Sequence, residues 1–375
     1  MNLTKNEIER YSRQLVLPEF GIAGQEKLKA AKVLCVGTGG LGSSLLLYLA
    51  ASGVGQLGIV DFDVVDASNL QRQIIHGTSS IGKSKVESAK DAIFEINPLV
   101  KTDIYDAPFT TGTALDLVKN YDVIVDCTDN FPTRYLINDA CVLADKPFVY
   151  GSIFRFEGQA SVFNYQDGPN YRDLYPTPPS PWLVPNCVVG GVLGILPGTI
   201  GLIQATETVK ILIGKGETLS GRLLLYDAMN MRFRELKLKK NPAREPITEL
   251  INYTEFCGTQ SPGDTAVEID PALEITATEL AEKLKTEDIT LIDIREPLEW
   301  EICHLPGSTL IPLSQLAEKT KEIDKAKKIV ACCRSGVRSV EALHILHKAG
   351  FTDAVHLRGG VHAWCDEVDQ TMPKY

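Results

Sequence analysis

The apolar residues of this chain fall into short runs that alternate with longer amphipathic segments. KVLCV (32–36), QLGIVDFD (56–63) and YDVIVDCTDN (121–130) each contain a continuous apolar stretch that ends in polar residues or glycine. Such runs are typical of buried strands. The segment GTGGLGSSLLLYLAASG follows the first run and has the pattern of a glycine turn that opens a helix. Strands that alternate with helices predict a doubly wound α/β sheet, in which ligands bind beyond the carboxyl ends of the strands.

This alternation lapses near residues 258–274, where the residues become small, polar and acidic, and it then starts again. In the second cycle ITLIDIR and KKIVACC are predicted strands, and ITATELAEKLK and VRSVEALHILHKAG are predicted helices. The pattern therefore predicts three parts. They are a Rossmann-like domain over residues 1–262, a linker over 263–274 and a small α/β domain over 275–375.

One apolar segment, from Cys187 to Ala205, is uncharged over about the length that spans a bilayer. It contains five glycines, Pro197 and Gln204, and it continues into charged residues at helical spacing. We therefore expect a buried helix pair that is broken near Pro197, and no membrane helix.

Composition and charge narrow the class of protein. A hydrophobic content of 44% and a charged content of 23% are typical of a soluble globular protein. The formal net charge of −10 argues against sequence-independent nucleic-acid binding, which needs an excess of lysine and arginine. The nine cysteines are an odd number without a C-x-x-C pair, and the first twenty residues contain no apolar signal region. We therefore expect reduced thiols and a cytoplasmic location.

The glycine turn is the first candidate for chemistry. Gly37, Gly39, Gly40 and Gly42 lie between a predicted strand and a predicted helix. Glycines let the backbone approach phosphate oxygens, and the helix N-terminus supplies N–H groups and a partial positive charge. Asp61, at the end of the next strand, is placed to hydrogen-bond a ribose. By itself this pattern favours an NAD-dependent dehydrogenase, with a purely structural glycine turn as the alternative.

Charged residues farther along the chain change this interpretation. Arg72 in SNLQRQ and Lys85 in GKSKVE are placed to neutralise a triphosphate, and Asp129 in DCTDN to hold Mg²⁺ or to orient the arginine. Nucleotidyl transfer needs such charges because its transition state spreads negative charge over several oxygens, whereas hydride transfer does not. The sequence contains no G-x-x-x-x-G-K-[ST] loop, so the predicted site is not of the Walker type.

RYSRQLVLPEFGIAGQEKLKAAKVLCVGTGGLGSSLLLYLAASGVGQLGIVDFDVVDASNLQRQ, together with CTDNFPTRYLIND, resembles the adenylation domain of the ubiquitin-activating superfamily. The resemblance runs from about residue 8 to residue 257. It is strongest to the bacterial enzymes that activate sulfur-carrier proteins for molybdopterin and thiamine synthesis. It implies ATP and Mg²⁺ as cofactors and, as substrate, a small ubiquitin-like protein that ends in Gly-Gly. The carrier carboxylate attacks the α-phosphate of ATP in this family, which gives an acyl-adenylate and pyrophosphate.

The resemblance also implies the site residues. Those implied for ATP binding are Gly37, Gly39, Gly40, Gly42, Asp61, Ser68, Asn69, Leu70, Gln71, Arg72, Lys85, Asp129 and Asn130. Arg13 matches an arginine that the family's homodimer contributes to the neighbouring subunit's site. Cys187 matches a cysteine proposed in relatives to form a covalent link with the carrier, and a buried apolar role is the alternative for it.

A structural zinc is common in these relatives, where two C-x-x-C pairs hold it. Asn170 and Asp173 match the positions of the first pair, and Lys239 and Pro242 match those of the second. These side chains cannot replace four thiolates. We therefore expect a zinc-free domain whose corner is held by ordinary packing.

Cys333 is the candidate nucleophile of the second domain, because it lies where a predicted strand turns into a helix beside Arg334 and Arg338. The helix N-terminus and the two arginines are expected to stabilise its thiolate and to make it reactive. Cys332 points to the opposite face of the strand and is expected to be inert. The C-x5-R spacing from Cys332 to Arg338 suits a cysteine phosphatase, which is the alternative.

The surrounding sequence favours sulfur transfer over phosphatase chemistry. CRSGVR resembles the active loop of single-domain rhodaneses, in which the cysteine carries a persulfide. The residues that match this loop are Cys333, Arg334, Ser335, Gly336, Val337 and Arg338. LIDIREPLEWEICHLPGSTLIP and GFTDAVHLRGGVHAW also resemble rhodanese sequence. We expect Asp293, Arg295 and His304 to support the fold.

The two resemblances together imply an adenylyltransferase–sulfurtransferase. Sulfur from Cys333 attacks the acyl-adenylate, and the carrier leaves with a C-terminal thiocarboxylate. A cysteine desulfurase is the expected sulfur donor, and thiosulfate is the alternative. The sequence leaves two alternative functions open. One is an NAD-dependent oxidoreductase with a regulatory thiol domain, and the other is an inactive scaffold that binds the carrier.

Overall fold

A computed structural model describes residues 2–179, 190–258, 270–324 and 326–375. The chain divides into two compact units, Met1–Thr259 and Gln260–Tyr375. The predicted linker, 263–274, lies partly outside the described residues. Its last residue, Glu274, belongs to a strand of the second unit.

The first unit is built on one large sheet. The strands in its described part are β1 (Lys32–Val36), β2 (Gln56–Asp61), β3 (Lys101–Asp106), β4 (Val123–Asp126), β5 (Phe148–Phe154), β6 (Glu157–Phe163), β7 (Arg222–Asp227) and β8 (Arg232–Lys237). They lie in the order β3-β2-β1-β4-β5-β6-β7-β8. The strands from β3 to β5 are parallel, and those from β5 to β8 are antiparallel. The strand order reverses at β1, between β2 and β4, which is where ligands bind in doubly wound sheets.

Helices cover both faces of this sheet. Those that lie wholly within the described residues are α1 (Lys5–Leu15), α2 (Gly21–Ala30), α3 (Gly40–Ser52), α4 (Lys85–Ile96), α5 (Ala114–Lys119), α6 (Phe131–Leu143), α7 (Tyr171–Leu174), α8 (Leu196–Ile213) and α9 (Tyr253–Phe256). On β1, Val33 and Cys35 join an apolar cluster with α3 and α8, whereas Leu34 and Val36 join a second cluster with α5 and α6. Burial of both faces explains why β1 is a continuous apolar run.

Only part of the expected helix pair can be checked, because residues 187–189 lie outside the described residues: Gly190 is helical, and after a non-helical stretch the next helix is α8. It runs without interruption from Leu196 to Ile213, and Pro197 lies in its first turn. A proline at this position removes only an N–H group that has no partner within the helix, so it starts the helix and does not break it. Among the described residues, no helix combines the length and the apolar character that a membrane crossing requires.

The second unit repeats the α/β architecture on a smaller scale. Its described strands are β9 (Glu274–Ile275), β10 (Ile289–Asp293), β11 (Thr309–Leu310), β12 (Lys328–Cys332) and β13 (Val355–Leu357), in the order β11-β10-β12-β13-β9. All the pairings are parallel. Its helices are α10 (Ala277–Lys283), α11 (Pro297–Ile302), α12 (Leu313–Lys319), α13 (Val337–Lys348) and α14 (Gly360–Glu367).

The central strand of this second sheet, β12, leads directly into the turn that carries Cys333. Val330 and Cys332 pack into the apolar cluster on one face, whereas Ala331 and Cys333 pack into the cluster on the other. The two units thus confirm the predicted fold class, a Rossmann-like doubly wound domain followed by a small α/β domain.

Candidate functional site

The glycine turn of the first unit lies at the carboxyl end of β1. Gly37 has φ 97°, a left-handed conformation that suits glycine. A Cβ atom at Gly37 would lie 2.7 Å from the carbonyl oxygen of Cys127, and one at Gly42 would lie 2.3 Å from the carbonyl oxygen of Gly37. Glycine is therefore required at both positions. Gly39 caps α3 without a side-chain hydrogen bond, so the N–H groups of the first helical turn are available to phosphate oxygens.

Asp61, at the end of β2, is bonded to the same turn. Its Oδ2 accepts hydrogen bonds from the backbone N–H (2.7 Å) and the hydroxyl (2.8 Å) of Thr38. Its Oδ1 accepts one from the N–H of Asp63 (3.0 Å). An ionised carboxylate offers roughly four acceptor positions, so these bonds orient Asp61 and still leave it able to accept from a ribose hydroxyl.

The segment after β2 orders its own backbone. Asp66 and Asn69 form a reciprocal capping box around the 3-10 turn Ala67–Asn69. The Arg72 guanidinium donates to the carbonyl oxygen of Ser68 (3.0 Å), and within the described part of the chain it has no carboxylate partner. The described residues therefore do not compensate its positive charge, which can be used by an anionic ligand.

Lys85 begins α4 and is only 6% exposed. Its Nζ lies 2.8 Å from Oδ2 of Asp63, a carboxylate that is itself half exposed. A buried ammonium needs an anionic partner because desolvation is costly. Asp63 meets that need, and the three N–H donors of the ammonium let Lys85 also bind a phosphate oxygen.

Asp129 and Asn130 follow β4 in a loop that a buried ion pair supports. Nε of Arg134 lies 2.9 Å from Oδ2 of Asp126, and both side chains are buried. Asn130 caps α6 by accepting from the N–H of Thr133 (2.9 Å). Asp129 itself is exposed and has no ion-pair partner among the described residues. Its carboxylate is therefore free to bind a cation such as Mg²⁺.

Two buried polar residues near the glycine turn were not predicted from the sequence. Nε2 of His76 donates to the carbonyl oxygen of Thr38 (3.2 Å), and Nδ1 lies 3.0 Å from the hydroxyl of Ser88. Burial lowers the pKa of His76 and keeps its ring neutral. Gln73 is buried close to Gly39, and its Oε1 has no hydrogen-bond partner in the described structure. Their only sequence signal is a polar segment without apolar periodicity, QRQIIHG.

The structure places most of the predicted nucleotide-binding residues after β1, β2 and β4, which are neighbours in the sheet. The carboxyl ends of parallel strands meet at one edge, so these residues share that edge. Arg13 does not. Arg13 is exposed on the last turn of α1. This helix is joined to the region just beyond the C-terminal end of α4 by a hydrogen bond from Nδ2 of Asn97 to Oη of Tyr11 (2.8 Å). Cys187 lies outside the described residues.

The corner in which the sequence resemblance would place zinc is held by a capping box and an ion pair. Asn170 caps α7, and Asp173 accepts the Asn170 N–H in return (2.8 Å). The buried Asp173 carboxylate also accepts from the Asn241 N–H (3.1 Å) and from Nε of Arg244 (3.0 Å). These residues do not fit zinc, and no cluster of three or more metal-ligating side chains occurs in the described ranges. The expectation of ordinary packing is incomplete, because an ion pair and hydrogen bonds join the two segments in addition to the packing of the buried Tyr171 in the apolar core.

In the second unit, Cys333 is almost completely buried in the turn between β12 and α13. The backbone N–H of Gly336 donates to Sγ (3.2 Å), and Sγ lies 3.6 Å from the hydroxyl of Ser339. Gly336 has φ 91°, and a Cβ atom there would lie 2.9 Å from the N of Gly359. The turn therefore presents backbone N–H to the sulfur, an arrangement that suits a sulfur-centred anion.

The two arginines of this loop are not arranged as the sequence suggested. Both terminal nitrogens of Arg338 donate to the carboxylate of Glu299 (2.7 and 2.6 Å). The guanidinium carbon of Arg334 lies 5.0 Å from the centre of the Tyr375 ring. The expectation that both arginines compensate the Cys333 anion must be corrected, because Glu299 neutralises Arg338.

Cys332, the neighbour of Cys333, is a core residue. It packs on the opposite face of β12, and burial raises the pKa of its thiol well above the usual range. The geometry therefore does not support the alternative in which Cys332 and Arg338 form a phosphatase loop. Asp293 and Arg295 form a fully buried ion pair (2.6 Å), and His304 stacks on Trp300 with ring centres 4.1 Å apart.

Comparison with known proteins agrees with this geometry. The ThiF family matches residues 11–246, and the rhodanese-like domain matches residues 276–367. The chain is 50% identical over 381 residues to the probable adenylyltransferase/sulfurtransferase MoeZ of Mycobacterium tuberculosis, which covers 100% of this chain and 96% of MoeZ. It is 42% identical over 395 residues to adenylyltransferase and sulfurtransferase MOCS3 of Drosophila yakuba, which covers 100% of this chain and 86% of MOCS3.

Solved structures show a similar fold over about two thirds of this chain at low sequence identity. The structure of E. coli MccB with ATP has a TM-score of 0.57 and 21% identity, and the match covers 65% of this chain and 75% of MccB. The structure of PaaA has a TM-score of 0.54 and 24% identity, and the match covers 64% of this chain and 76% of PaaA. With the family matches and the full-length relatives, the conclusion is direct: the chain belongs to the ThiF family and carries a rhodanese-like domain after its ThiF domain.

Proposed function

We propose that this enzyme adenylates the C-terminal glycine of a ubiquitin-like sulfur carrier that ends in Gly-Gly, and then converts it to a thiocarboxylate with sulfur held on Cys333. One observation carries the proposal. A single chain holds both a phosphate-binding turn with cationic side chains and a cysteine whose sulfur accepts a backbone N–H. The names of the full-length relatives, adenylyltransferase and sulfurtransferase, support the same pair of activities.

The first step takes place at the glycine turn. The carrier carboxylate attacks the α-phosphorus of ATP, and the bond to pyrophosphate breaks with its electron pair on the leaving oxygen. The N–H groups of α3 bind phosphate oxygens, and Arg72 and Lys85 compensate the negative charge that spreads over them in the transition state. When bound at Asp129, Mg²⁺ supplies further charge neutralisation at the phosphates.

The second step uses the persulfide of Cys333. Its terminal sulfur attacks the acyl carbon, AMP leaves, and an acyl disulfide joins the carrier to Cys333. A low-molecular-weight thiol then attacks Sγ of Cys333, the carrier thiocarboxylate leaves with the electron pair of the broken S–S bond, and Cys333 remains in a mixed disulfide with that thiol. A second thiol attacks this disulfide at the sulfur of the first thiol and restores the Cys333 thiolate. Joining the two domains in one chain raises the effective concentration of the persulfide near the adenylate. Cys187 remains a predicted site for a covalent link with the carrier.

Several further assignments belong to the same proposal. A cysteine desulfurase loads Cys333, the enzyme works in the cytoplasm, and the carrier serves molybdopterin synthesis, thiamine synthesis or tRNA thiolation. Two subunits form a homodimer, in which Arg13 completes the partner subunit's nucleotide site. The exposed position of Arg13, on a helix tied to the far end of α4, supports its action on a second subunit.

Reconstitution of both steps tests the proposal. We expect the purified full chain to catalyse ATP–pyrophosphate exchange only when a carrier ending in Gly-Gly is present. With a sulfur donor added, the carrier mass should increase by the replacement of one oxygen by sulfur. A carrier that lacks its last glycine is the control. Tight NAD binding without exchange would favour the oxidoreductase, and carrier binding without exchange would favour the scaffold.

Zinc content provides an independent prediction. Protein purified without a metal-binding tag is expected to contain far less than one zinc per chain and to keep its unfolding temperature in a chelator. Asp173→Ala is instead expected to lower the free energy of unfolding by about 3 kcal/mol, because it leaves Arg244 and two backbone N–H groups without their acceptor.

The control for this substitution is Asp91→Ala, which changes an exposed carboxylate on α4 and should leave the unfolding temperature nearly unchanged. Calorimetry with and without the chelator, together with elemental analysis, gives both results. One zinc per chain that is lost on chelation together with thermal stability would contradict the zinc-free assignment.

A further inference from the structure

A continuous series of hydrogen-bonded side chains links the core of the second unit to the Cys333 loop. Arg295 is fully buried, and its Nη2 donates to Asp293 (2.6 Å) and to the carbonyl oxygen of Cys303 (2.7 Å). Its Nη1 donates to the hydroxyl of Tyr375 (2.7 Å). That hydroxyl lies 3.2 Å from Oε1 of Glu299. Because Arg295 donates to the hydroxyl oxygen, the hydroxyl proton is directed to Glu299.

Glu299 in turn occupies the fork of Arg338. The two parallel N–H···O bonds, at 2.7 and 2.6 Å, engage both carboxylate oxygens. The side chains are only about one-fifth exposed, so water weakens this pair much less than a surface pair. Burial alone would raise the pKa of Glu299, but the hydrogen bonds from Arg338 and Tyr375 hold it below its usual value. The carboxylate is therefore ionised at neutral pH, and the pair carries no net charge.

Arg338 nevertheless lies near Cys333, because it is in the first turn of α13 and is the neighbour of Ser339, whose hydroxyl is 3.6 Å from Sγ of Cys333. Although burial alone would lower it, the pKa of Arg338 lies above its usual value, because Glu299 and, to a smaller extent, Cys333 and Tyr375 interact with the guanidinium. A cation in this position would attract an anionic donor to the loop. The charge of Arg338 and one N–H of each of its terminal nitrogens are already committed to Glu299.

We propose that Glu299 is a positioning residue that acts through Arg338 and selects the sulfur donor of Cys333. By neutralising Arg338 it disfavours the dianion thiosulfate, and it leaves the loop suited to a persulfide of lower charge. Tyr375 supports this role because its hydroxyl donates a further hydrogen bond to Oε1 of Glu299. The proposal rests on sulfur transfer at Cys333 as the function of this unit, and it adds the residue that sets the class of donor.

Both donors react with the Cys333 thiolate by balanced displacement. With thiosulfate, the thiolate attacks the outer sulfur, the S–S bond breaks, and sulfite leaves with the electron pair. With a persulfide, the thiolate attacks the terminal sulfur and the donor thiolate leaves. In both reactions Cys333 gains one sulfur atom, and no oxidant or reductant is consumed. The two routes differ in the charge that approaches and leaves the loop, so the state of Arg338 discriminates between them.

The test compares Glu299→Gln with wild type in the full chain, with thiosulfate and cysteine persulfide as the two donors. Glutamine keeps the α11 capping box, in which Glu299 accepts from the N–H of Glu296 (3.0 Å), but it carries no charge. We expect kcat/KM for Cys333 persulfide formation from thiosulfate to rise by about tenfold, mainly through a lower KM, as a released arginine fork binds the dianion. The rate with cysteine persulfide should change by less than about twofold, since that donor does not depend on Arg338.

Glu301→Gln is the matched control, because it removes an exposed carboxylate from the same helix. In the double variant Glu299→Gln with Arg338→Ala, the increase in kcat/KM with thiosulfate should be abolished. Tyr375→Phe, which removes only the hydroxyl, should shift donor preference in the same direction by a smaller factor. It provides a second variant if Glu299→Gln lowers the unfolding temperature.

Mass spectrometry of Cys333 after each reaction separates the possible failures. If both Glu299→Gln and Tyr375→Phe kept the wild-type preference between the two donors, or if the rates with both donors changed equally, the role of Glu299 would be overturned. The proposed sulfur transfer at Cys333 would not be affected by that result. A wild-type Cys333 that takes sulfur from neither donor would overturn the proposed function together with this inference.

Discussion

Replacement of Cys333 by alanine is expected to abolish thiocarboxylate formation while ATP–pyrophosphate exchange continues at nearly the wild-type rate. The sulfur acceptor in the proposed mechanism is the Cys333 thiolate, and alanine cannot form a persulfide. The glycine turn and its charged residues belong to the other compact unit, so their geometry does not depend on this side chain. We expect thiocarboxylate formation to fall by at least about three orders of magnitude, as is usual when a covalent nucleophile is removed.

The control is Cys332→Ala, one residue earlier on β12. The Cys332 side chain packs in the cluster on the opposite face of the sheet, so its loss should affect stability and leave sulfur transfer in place. Carrier thiocarboxylate is measured by mass spectrometry, and exchange is measured on the same preparations. If Cys333→Ala, with Cys332 intact, transferred sulfur as fast as wild type, the assignment of the nucleophile would be wrong.

Removal of Arg72 or Asp129 should have the opposite effect on the two steps: ATP–pyrophosphate exchange is lost and persulfide formation on Cys333 is kept. Arg72→Ala and Asp129→Ala are each expected to lower ATP–pyrophosphate exchange by about 10²–10³-fold, as observed when a preorganised charge at a transition state is deleted. Neither side chain has an ion-pair partner among the described residues, so the loss is chemical and the folded structure should keep its stability. Persulfide formation on Cys333 should continue in both variants.

Two further variants accompany this prediction: the first separates charge from geometry at Arg72, and the second is a surface control. Arg72→Lys keeps the positive charge but loses the planar fork, so it should retain part of the exchange activity. Asp91→Ala removes a carboxylate from the exposed surface of α4 and should leave exchange unchanged. Exchange at the wild-type rate in Arg72→Ala or Asp129→Ala would exclude the role assigned to that residue.

Much of the fold follows from local sequence. The continuous apolar run of β1 predicts a strand buried on both faces, because burial on two faces removes the polar alternation of a half-exposed strand. The glycines at 37 and 42 could be placed in a phosphate-binding turn, because a left-handed φ and a close backbone contact both require glycine. The position of Cys333 at a strand–helix junction is also a local property, and this is why the sequence alone pointed to both units.

Other features of the candidate sites depend on contacts between residues far apart in the chain. Glu299 pairs with Arg338 across 39 positions, Asp173 with Arg244 across 71, and Tyr375 with Arg295 across 80. The sequence alone determined the two α/β units, the glycine turn and the place of the candidate nucleophile Cys333, because strand periodicity, helix caps and glycine conformations are set by neighbouring residues. Only the tertiary structure decided that Glu299 neutralises Arg338 and that an ion pair holds the corner around Asp173. The partner of a long charged side chain depends on which elements pack beside it, and the periodicity of the sequence does not specify those elements.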